Sequence, residues 1–180
     1  MKSFVNIILC VCILFSYSIR SEDIPYLLTA SSKGDIESVK AIIDSGGNPN
    51  TEDGNKVTAL MYASRKNQVE VARYLISKGA EVNKQEIDGW TALMYASKNN
   101  YSDMVELLIN NNADLKVTDS DGWTAYGLAA TSGNHQTLDL LIKRGISPNT
   151  RNSSSATVLM LACKSGNVPT IKILIKNGAL

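Results

Sequence analysis

Apolar and polar residues follow one another along this chain with the spacing of short amphipathic helices. Residues 104–109 carry apolar side chains at helical intervals, and the polar residues 98–100 separate them from an earlier apolar segment at 92–96. Thr91 stands just before that earlier segment, where its hydroxyl can accept a free backbone N–H of a first helical turn. The pattern therefore predicts two helices joined by a short polar break.

The same pattern returns at intervals of 33 residues. Three sets of positions keep this interval: Thr-Ala at 58, 91 and 124 with Thr-Val at 157, Ala at 30, 63, 96, 129 and 162, and Leu at 75, 108, 141 and 174. Gly or Asn recurs at 46, 79, 112, 145 and 178, after the second helix, and both residues accept the left-handed backbone of a helix end. The chain is therefore an array of helix-pair repeats.

These repeats resemble the ankyrin repeat. Residues 88–96 read Asp-Gly-Trp-Thr-Ala-Leu-Met-Tyr-Ala against the family pattern Asp-Gly-x-Thr-Pro-Leu-His-x-Ala, and residues 79–83 match the closing Gly-Ala-x-Val-Asn. The resemblance covers about residues 23 to 180 and implies an all-α solenoid of about five stacked helix-turn-helix units with short β-hairpin-like turns. The predicted units lie near residues 23–54, 55–87, 88–120, 121–153 and 154–180.

The first residues have the organisation of a signal peptide. Lys2 precedes an apolar run at residues 4–15, interrupted only by Asn6, and small residues follow at Ser16 and Ser18. We predict a signal peptide over residues 1–18, cut between 18 and 21, and an exported chain that works in the periplasm or is secreted. An uncleaved anchor is the alternative, although a membrane span needs about 20 apolar residues. Lipid attachment at Cys10 or Cys12 is a further alternative.

Composition restricts the function. Hydrophobic residues make up 44% of the chain, and 18 Lys and Arg nearly balance 17 Asp and Glu. Because no net charge is available to attract a phosphate backbone, nucleic acid is not an expected partner. After cleavage, we expect no stable membrane span to remain. Only Cys163 is then left, so no disulfide can form within the chain. We expect the protein to be a monomer.

The sequence predicts no catalytic, cofactor or metal site. His135 is the only histidine and stands at the start of a predicted outer helix, where we expect it to be solvated. Cys163 occupies a position held elsewhere by Ser or Ala, so we interpret it as a packing residue between helices. One histidine and one cysteine do not supply the nucleophile, base and orienting group of a hydrolase. The chain is therefore predicted not to be an enzyme.

The resemblance implies binding of an unidentified protein through a concave surface of turn tips and first helices. Trp90 and Trp123 stand at the base of adjacent turns, and Trp is favoured in binding hot spots. The alternative is that the two indoles stiffen the turns by packing on each other or on neighbouring turns. Tyr62, Tyr95 and Lys56 complete the candidate binding residues, and Asn55-Lys56 in place of Asp-Gly predicts a reshaped second turn.

Two further questions stay open at the level of sequence. The chain is an interaction module that works in the periplasm or outside the cell, or it is a secreted effector that binds a host protein, or it protects or matures a partner enzyme. The last unit also carries Ile171, Ile173, Leu174 and Ile175, which are either exposed or covered by a partner.

Overall fold

Five consecutive pairs of helices form the part of the chain that a computed structural model describes, residues 25–180. Each pair consists of an inner helix of seven or eight residues and an outer helix of nine. The pairs are α1 (Tyr26–Lys33) and α2 (Ile36–Asp44), α3 (Ala59–Arg65) and α4 (Val69–Ser77), α5 (Ala92–Lys98) and α6 (Ser102–Asn110), α7 (Ala125–Thr131) and α8 (His135–Lys143), and α9 (Val158–Ser165) and α10 (Val168–Lys176). The predicted all-α solenoid is confirmed.

A threonine hydroxyl begins each inner helix from α3 onward. The hydroxyl accepts the backbone N–H three residues later, at 3.2 to 3.4 Å, which gives one free N–H of the first turn a partner. The cap predicted at Thr91 is confirmed, with Met94 as the donor. The threonines are Thr58, Thr91, Thr124 and Thr157.

The core runs along the stack between inner and outer helices. Each inner helix contacts the next inner helix, and each outer helix contacts the next outer helix. The repeated alanines are at most 3% exposed and the repeated leucines are fully buried. The small alanine lets neighbouring inner helices approach closely, and the leucine fills the space under the outer helices.

A hydrogen-bonded turn precedes each of the last four inner helices, and we call these the finger turns: residues 53–57, 86–90, 119–123 and 152–156. In each, the first residue donates its N–H to the carbonyl of the fifth, at 2.9 to 3.2 Å. Adjacent finger turns are joined by one backbone bond each, such as Ile87 N–H to the carbonyl of Asn55 at 3.1 Å. The finger turns therefore form a continuous row along one side of the stack.

The reshaping predicted for the turn at Asn55-Lys56, the first finger turn, is wrong. Lys56 has a φ of 64° and stands where Gly89 and Gly122 have φ values of 84° and 80°. Its N–H bonds to the carbonyl of Asp53 at 2.9 Å, as the N–H of Gly89 bonds to the carbonyl of Glu86. The turn keeps its form because the bonds of the whole finger row hold this lysine in a left-handed conformation that normally favours glycine.

Within residues 25–180, the fifth unit differs from the interior units because no further unit packs on its outer side. Cys163 is exposed, so its interpretation as a packing residue is wrong. Met160, Val168 and Ile175 are 53% to 59% exposed, whereas Leu174 is fully buried. The predicted signal peptide at residues 1–18 lies outside the described residues. None of the helices in residues 25–180 combines the length and apolar character that crossing a bilayer requires.

Candidate protein-binding face

Three of the predicted binding residues lie on one surface, which we call the inner face: the outward side of the inner helices together with the bases of the finger turns. Trp90 and Tyr95 form a pair with ring centroids 5.0 Å apart and planes tilted by 50°. Trp90 stands just before the cap residue of α5 and Tyr95 lies one turn into that helix, so the pair is local in sequence. Both residues, and Tyr62 on α3, are half-buried.

Two cations lie over these aromatic rings. The Lys98 Nζ is 4.9 Å from the ring centroid of Trp90, and the Arg65 Cζ is 5.0 Å from that of Tyr62. Such contacts contribute about 0.5 to 1 kcal/mol at exposed sites. Neither cation forms a salt bridge with a carboxylate in residues 25–180. The rings therefore orient two positive charges that remain available to a ligand.

A shallow pocket of about 310 Å³ brings these groups together between the second and third units. Arg65 closes it from α3, and Trp90, Tyr95 and Lys98 line it from the third unit. Two carboxylates lie at its finger edge. Glu86 is 8% exposed and accepts the backbone N–H groups of its own finger turn, whereas Asp88 is exposed. The pocket thus has a cationic helix side and an acidic finger side.

Burial raises the pKa of both Tyr62 and Tyr95. Tyr62 donates its hydroxyl to Asp53 Oδ2 at 2.8 Å. Burial raises the pKa of Tyr62, and the hydrogen bond to the Asp53 carboxylate raises it further. Burial also raises the pKa of Tyr95, with a smaller contribution from the charge of Glu86. Neither phenol is a proton donor or acceptor for chemistry near neutral pH, and both offer contact area instead.

Trp123 lies outside this pocket. Its indole packs inside its own unit against Gly127, so the two tryptophans do not line one pocket. Within residues 25–180, Trp90 forms its aromatic pair with Tyr95 and none with Trp123. Trp90 lines the pocket, whereas Trp123 packs against its own unit.

Lys56, the fifth candidate, is exposed at a finger tip. It lies in the turn next to that of Trp90, and Asn55 beside it accepts the backbone bond from Ile87. The structure therefore places Lys56 at the margin of the inner face.

Sequence reasoning missed one column of residues, the first position of each finger turn. Each side chain accepts the backbone N–H groups two and four residues later, at 2.7 to 3.1 Å, and so fixes the turn that carries the tryptophan or its equivalent. The column consists of Asp53, Glu86, Asp119 and Asn152. The column could have been found from the sequence, because an acidic or amide residue recurs there at every 33-residue interval.

Charge is distributed unevenly between the two layers of helices. The inner helices contain Lys33, Arg65, Lys98 and Lys164 and no Asp or Glu, whereas the outer helices contain six Asp or Glu and five Lys or Arg. The near-zero net charge of the chain conceals this difference. The helix side of the inner face is therefore locally basic.

The candidate chemical residues lie apart from the inner-face pocket. His135 is half-buried rather than solvated, and its Nε2 is 3.3 Å from the hydroxyl of Thr170 in the next unit. It lies in the interface between the last two outer helices, where it takes part in packing. Within residues 25–180, no three His, Cys, Asp or Glu side chains are grouped so that they could hold a metal ion.

Comparison with known proteins identifies the repeat. A family model described as ankyrin repeats (3 copies) matches residues 27–119 and 111–180. Among curated proteins, no significant match to the chain is found. The two matched ranges together span the described helices almost completely.

Proposed function

We propose that this chain, which belongs to the ankyrin-repeat family, holds an acidic segment of a protein partner against its inner face, in the periplasm or outside the cell. Ankyrin repeats are protein–protein interaction modules and in general are not catalytic. That part of the function follows from the family alone. The surface, the chemistry of the partner and the compartment are the proposal.

One observation carries the choice of surface: Arg65 and Lys98 line a single pocket, each stacked on an aromatic ring and neither paired with a carboxylate of residues 25–180. A partner carboxylate entering at this edge meets two oriented cations, while an apolar group beside it covers Trp90. Aromatic and arginine side chains are the residues that most often dominate binding energy. The basic helix side then favours an acidic segment over a neutral one.

Export is supported by the composition of the first residues, with Lys2, the apolar run at 4–15 and the small residues after it. Mass spectrometry of the protein recovered from its own cells tests this directly. We expect the purified chain to begin between residues 19 and 22, in a periplasmic or culture fraction. An intact Met1 in every fraction contradicts cleavage.

A capture experiment with charge-matched variants tests the surface. Arg65→Gln with Lys98→Gln removes the two inner-face cations, and Arg73→Gln with Lys143→Gln removes two exposed cations of outer helices, so both pairs change the net charge equally. We expect a partner from the exported fraction to be retained by the wild type and the outer-helix pair and lost by the inner-face pair. Equal retention by all three overturns the proposed surface.

The affinity of the Trp90→Ala variant for the same partner is an independent test of the surface. A contact anchor costs at least about 2 kcal/mol of binding when truncated. We expect Trp90→Ala to reach that loss and Trp123→Ala to bind as the wild type does while melting at a lower temperature. The reverse assignment, with binding dependent on Trp123 and not on Trp90, contradicts the proposal.

A further inference from the structure

Three asparagines form an identical bridge between the loops that follow successive outer helices. In each bridge the side-chain amide donates to a backbone carbonyl 29 residues later, at 2.9 to 3.1 Å, and the side-chain carbonyl accepts a backbone N–H 31 residues later, at 2.7 Å. The three are Asn50, Asn83 and Asn149. A primary carboxamide is therefore the group that these loops are built to bind.

The third loop in chain order lacks this bridge because Lys116 occupies the asparagine position. The corresponding backbone groups are the carbonyl of Gly145 and the N–H of Ser147. An ammonium group donates but does not accept, so Lys116 cannot satisfy both. No hydrogen bond to either group from the rest of residues 25–180 is present, and both residues are exposed.

A cavity of about 570 Å³ opens at this gap, and Lys116, Gly145 and Ser147 all line it. Its apolar wall consists of Leu115 and Ile146, both half-buried. Ile146 stands where the neighbouring loops have a buried alanine, so the wall is larger and more exposed than in those loops.

The threonine that caps the helix beneath the cavity is a second indication that the stack is open here. Thr124 lines the cavity and is partly exposed, whereas Thr58, Thr91 and Thr157 are at most 2% exposed. The missing bridge thus leaves a recess that reaches the edge of the core.

We propose that this cavity binds a glutamine side chain of a protein partner. The glutamine amide donates to the Gly145 carbonyl and its carbonyl accepts the Ser147 N–H, which repeats the two bonds of the bridges within the chain. The two methylenes of the glutamine lie against Leu115 and Ile146. A carboxylate accepts from Ser147 but has no proton for Gly145, and an ammonium has no acceptor for Ser147. The site shares no lining residue with the inner-face pocket, so it does not depend on the function proposed above.

Charged side chains at the rim of the cavity define the alternative class of ligand, a carboxylate. Arg144 is held by Glu106 and Asn110, and Arg151 donates to the carbonyl of Ser155 at 2.6 Å, while Asp114 is the acid of the lining. If these cations dominated recognition, the cavity would prefer a carboxylate. A direct comparison of Gln with Glu therefore separates the two chemistries.

Titration of the isotope-labelled protein with three blocked peptides tests the proposal, and nuclear magnetic resonance of the Gly145 and Ser147 amides is the readout. The probes are acetyl-Leu-Gln-Leu N-methylamide and its counterparts with Glu or Met in the middle position. We expect saturable shifts of both amides in the millimolar range with the Gln peptide and at least about 10-fold weaker binding of the other two, the equivalent of one lost hydrogen bond.

Two variants of Lys116 complete the test. Lys116→Asn supplies the chain's own carboxamide, so we expect the Gln peptide to bind about 10-fold more weakly or not at all, in a protein that melts at a higher temperature. Lys116→Met removes the charge without adding a carboxamide, and we expect affinity within about 2-fold of the wild type. Any one of four results overturns the proposal. The Glu peptide binds as tightly as the Gln peptide or more tightly, or the Met peptide binds as tightly as the Gln peptide. Alternatively, Lys116→Asn binds the Gln peptide as the wild type does, or no peptide shifts the two amides at any concentration.

Discussion

The indole of Trp123 lies against Gly127, at the place where other units have a methionine side chain. A Cβ at position 127 would overlap Cε3 of the ring. Met61, Met94 and Met160 occupy the equivalent helix position. Glycine in the middle of a helix costs about 1 kcal/mol relative to alanine. The fourth unit thus accepts a weaker helix in order to seat the indole.

Gly127→Ala should therefore lower the free energy of unfolding, although alanine is the better helix former. The new methyl group displaces the indole, and overpacking of this kind costs about 1 to 3 kcal/mol. Urea denaturation measures the change. In a Trp123→Ala background the same substitution should become stabilising by up to about 1 kcal/mol. An alanine that is stabilising in both backgrounds contradicts the contact.

Tyr126 should make the protein less stable in alkali. It is fully buried where the second, third and fifth units have a leucine, and its hydroxyl donates to the carbonyl of Pro148 at 3.4 Å. Burial raises the pKa of Tyr126. The folded state therefore retains a proton that the unfolded state releases above pH of about 10, so stability present below that pH is lost as the pH rises.

Tyr126→Phe isolates this effect. Above pH of about 10 the free energy of unfolding of the wild type should fall more steeply than that of the variant, by up to about 1.4 kcal/mol per pH unit. Near pH 7 the two proteins should differ by no more than about 1 kcal/mol, because the lost hydrogen bond is long. Parallel curves between about pH 9 and 11 contradict a buried, neutral phenol.

Asp119→Ala should destabilise the third finger turn. Its carboxylate accepts the N–H groups of Asp121 and Trp123 at 3.1 and 2.7 Å, and its removal leaves both without an acceptor. We expect a loss of about 1 to 3 kcal/mol in the free energy of unfolding. Asp119→Asn is the matched control, since Asn152 makes the same pair of bonds in the last finger turn. A control as unstable as the alanine variant would contradict this role.

The asparagine bridges predict a difference between two equivalent positions. Asn83→Ala breaks bonds to the carbonyl of Asn112 and the N–H of Asp114, so we expect it to cost about 1 to 3 kcal/mol. Lys116→Ala occupies the same column and breaks no bond between loops, so it should change stability by less than about 0.5 kcal/mol. Thermal and chemical denaturation of both variants measure the contrast. Equal losses would show that the bridge contributes nothing.

The helices and caps could be predicted because their signals are local and are repeated. Thr91, the alanine column and the left-handed residues at helix ends each have one dominant physical reason, and the 33-residue interval supplies several examples of each. The turn at Lys56 was mispredicted for the opposite reason. A single residue suggested a change, and the bonds of the whole row decided the conformation.

The candidate site was predictable only in part. Trp90 and Trp123 look equivalent in sequence, and the difference between them depends on Tyr95 beside one and Gly127 under the other. The basic character of the inner helices is not visible in a net charge of +1. Cys163 is exposed because no helix of residues 25–180 covers it, and its own column of small residues does not reveal this.

The asparagine bridges also make the array a set of interchangeable modules. The bridges of Asn50 and Asn83 use the same atoms. An additional copy of a whole repeat inserted between the second and third units would therefore form the same hydrogen bonds with the unit on each side. A copy inserted at Lys116 would meet a joint that lacks these bonds. Growth or loss of whole repeats should therefore be found at the joints of Asn50, Asn83 and Asn149 rather than at the joint of Lys116.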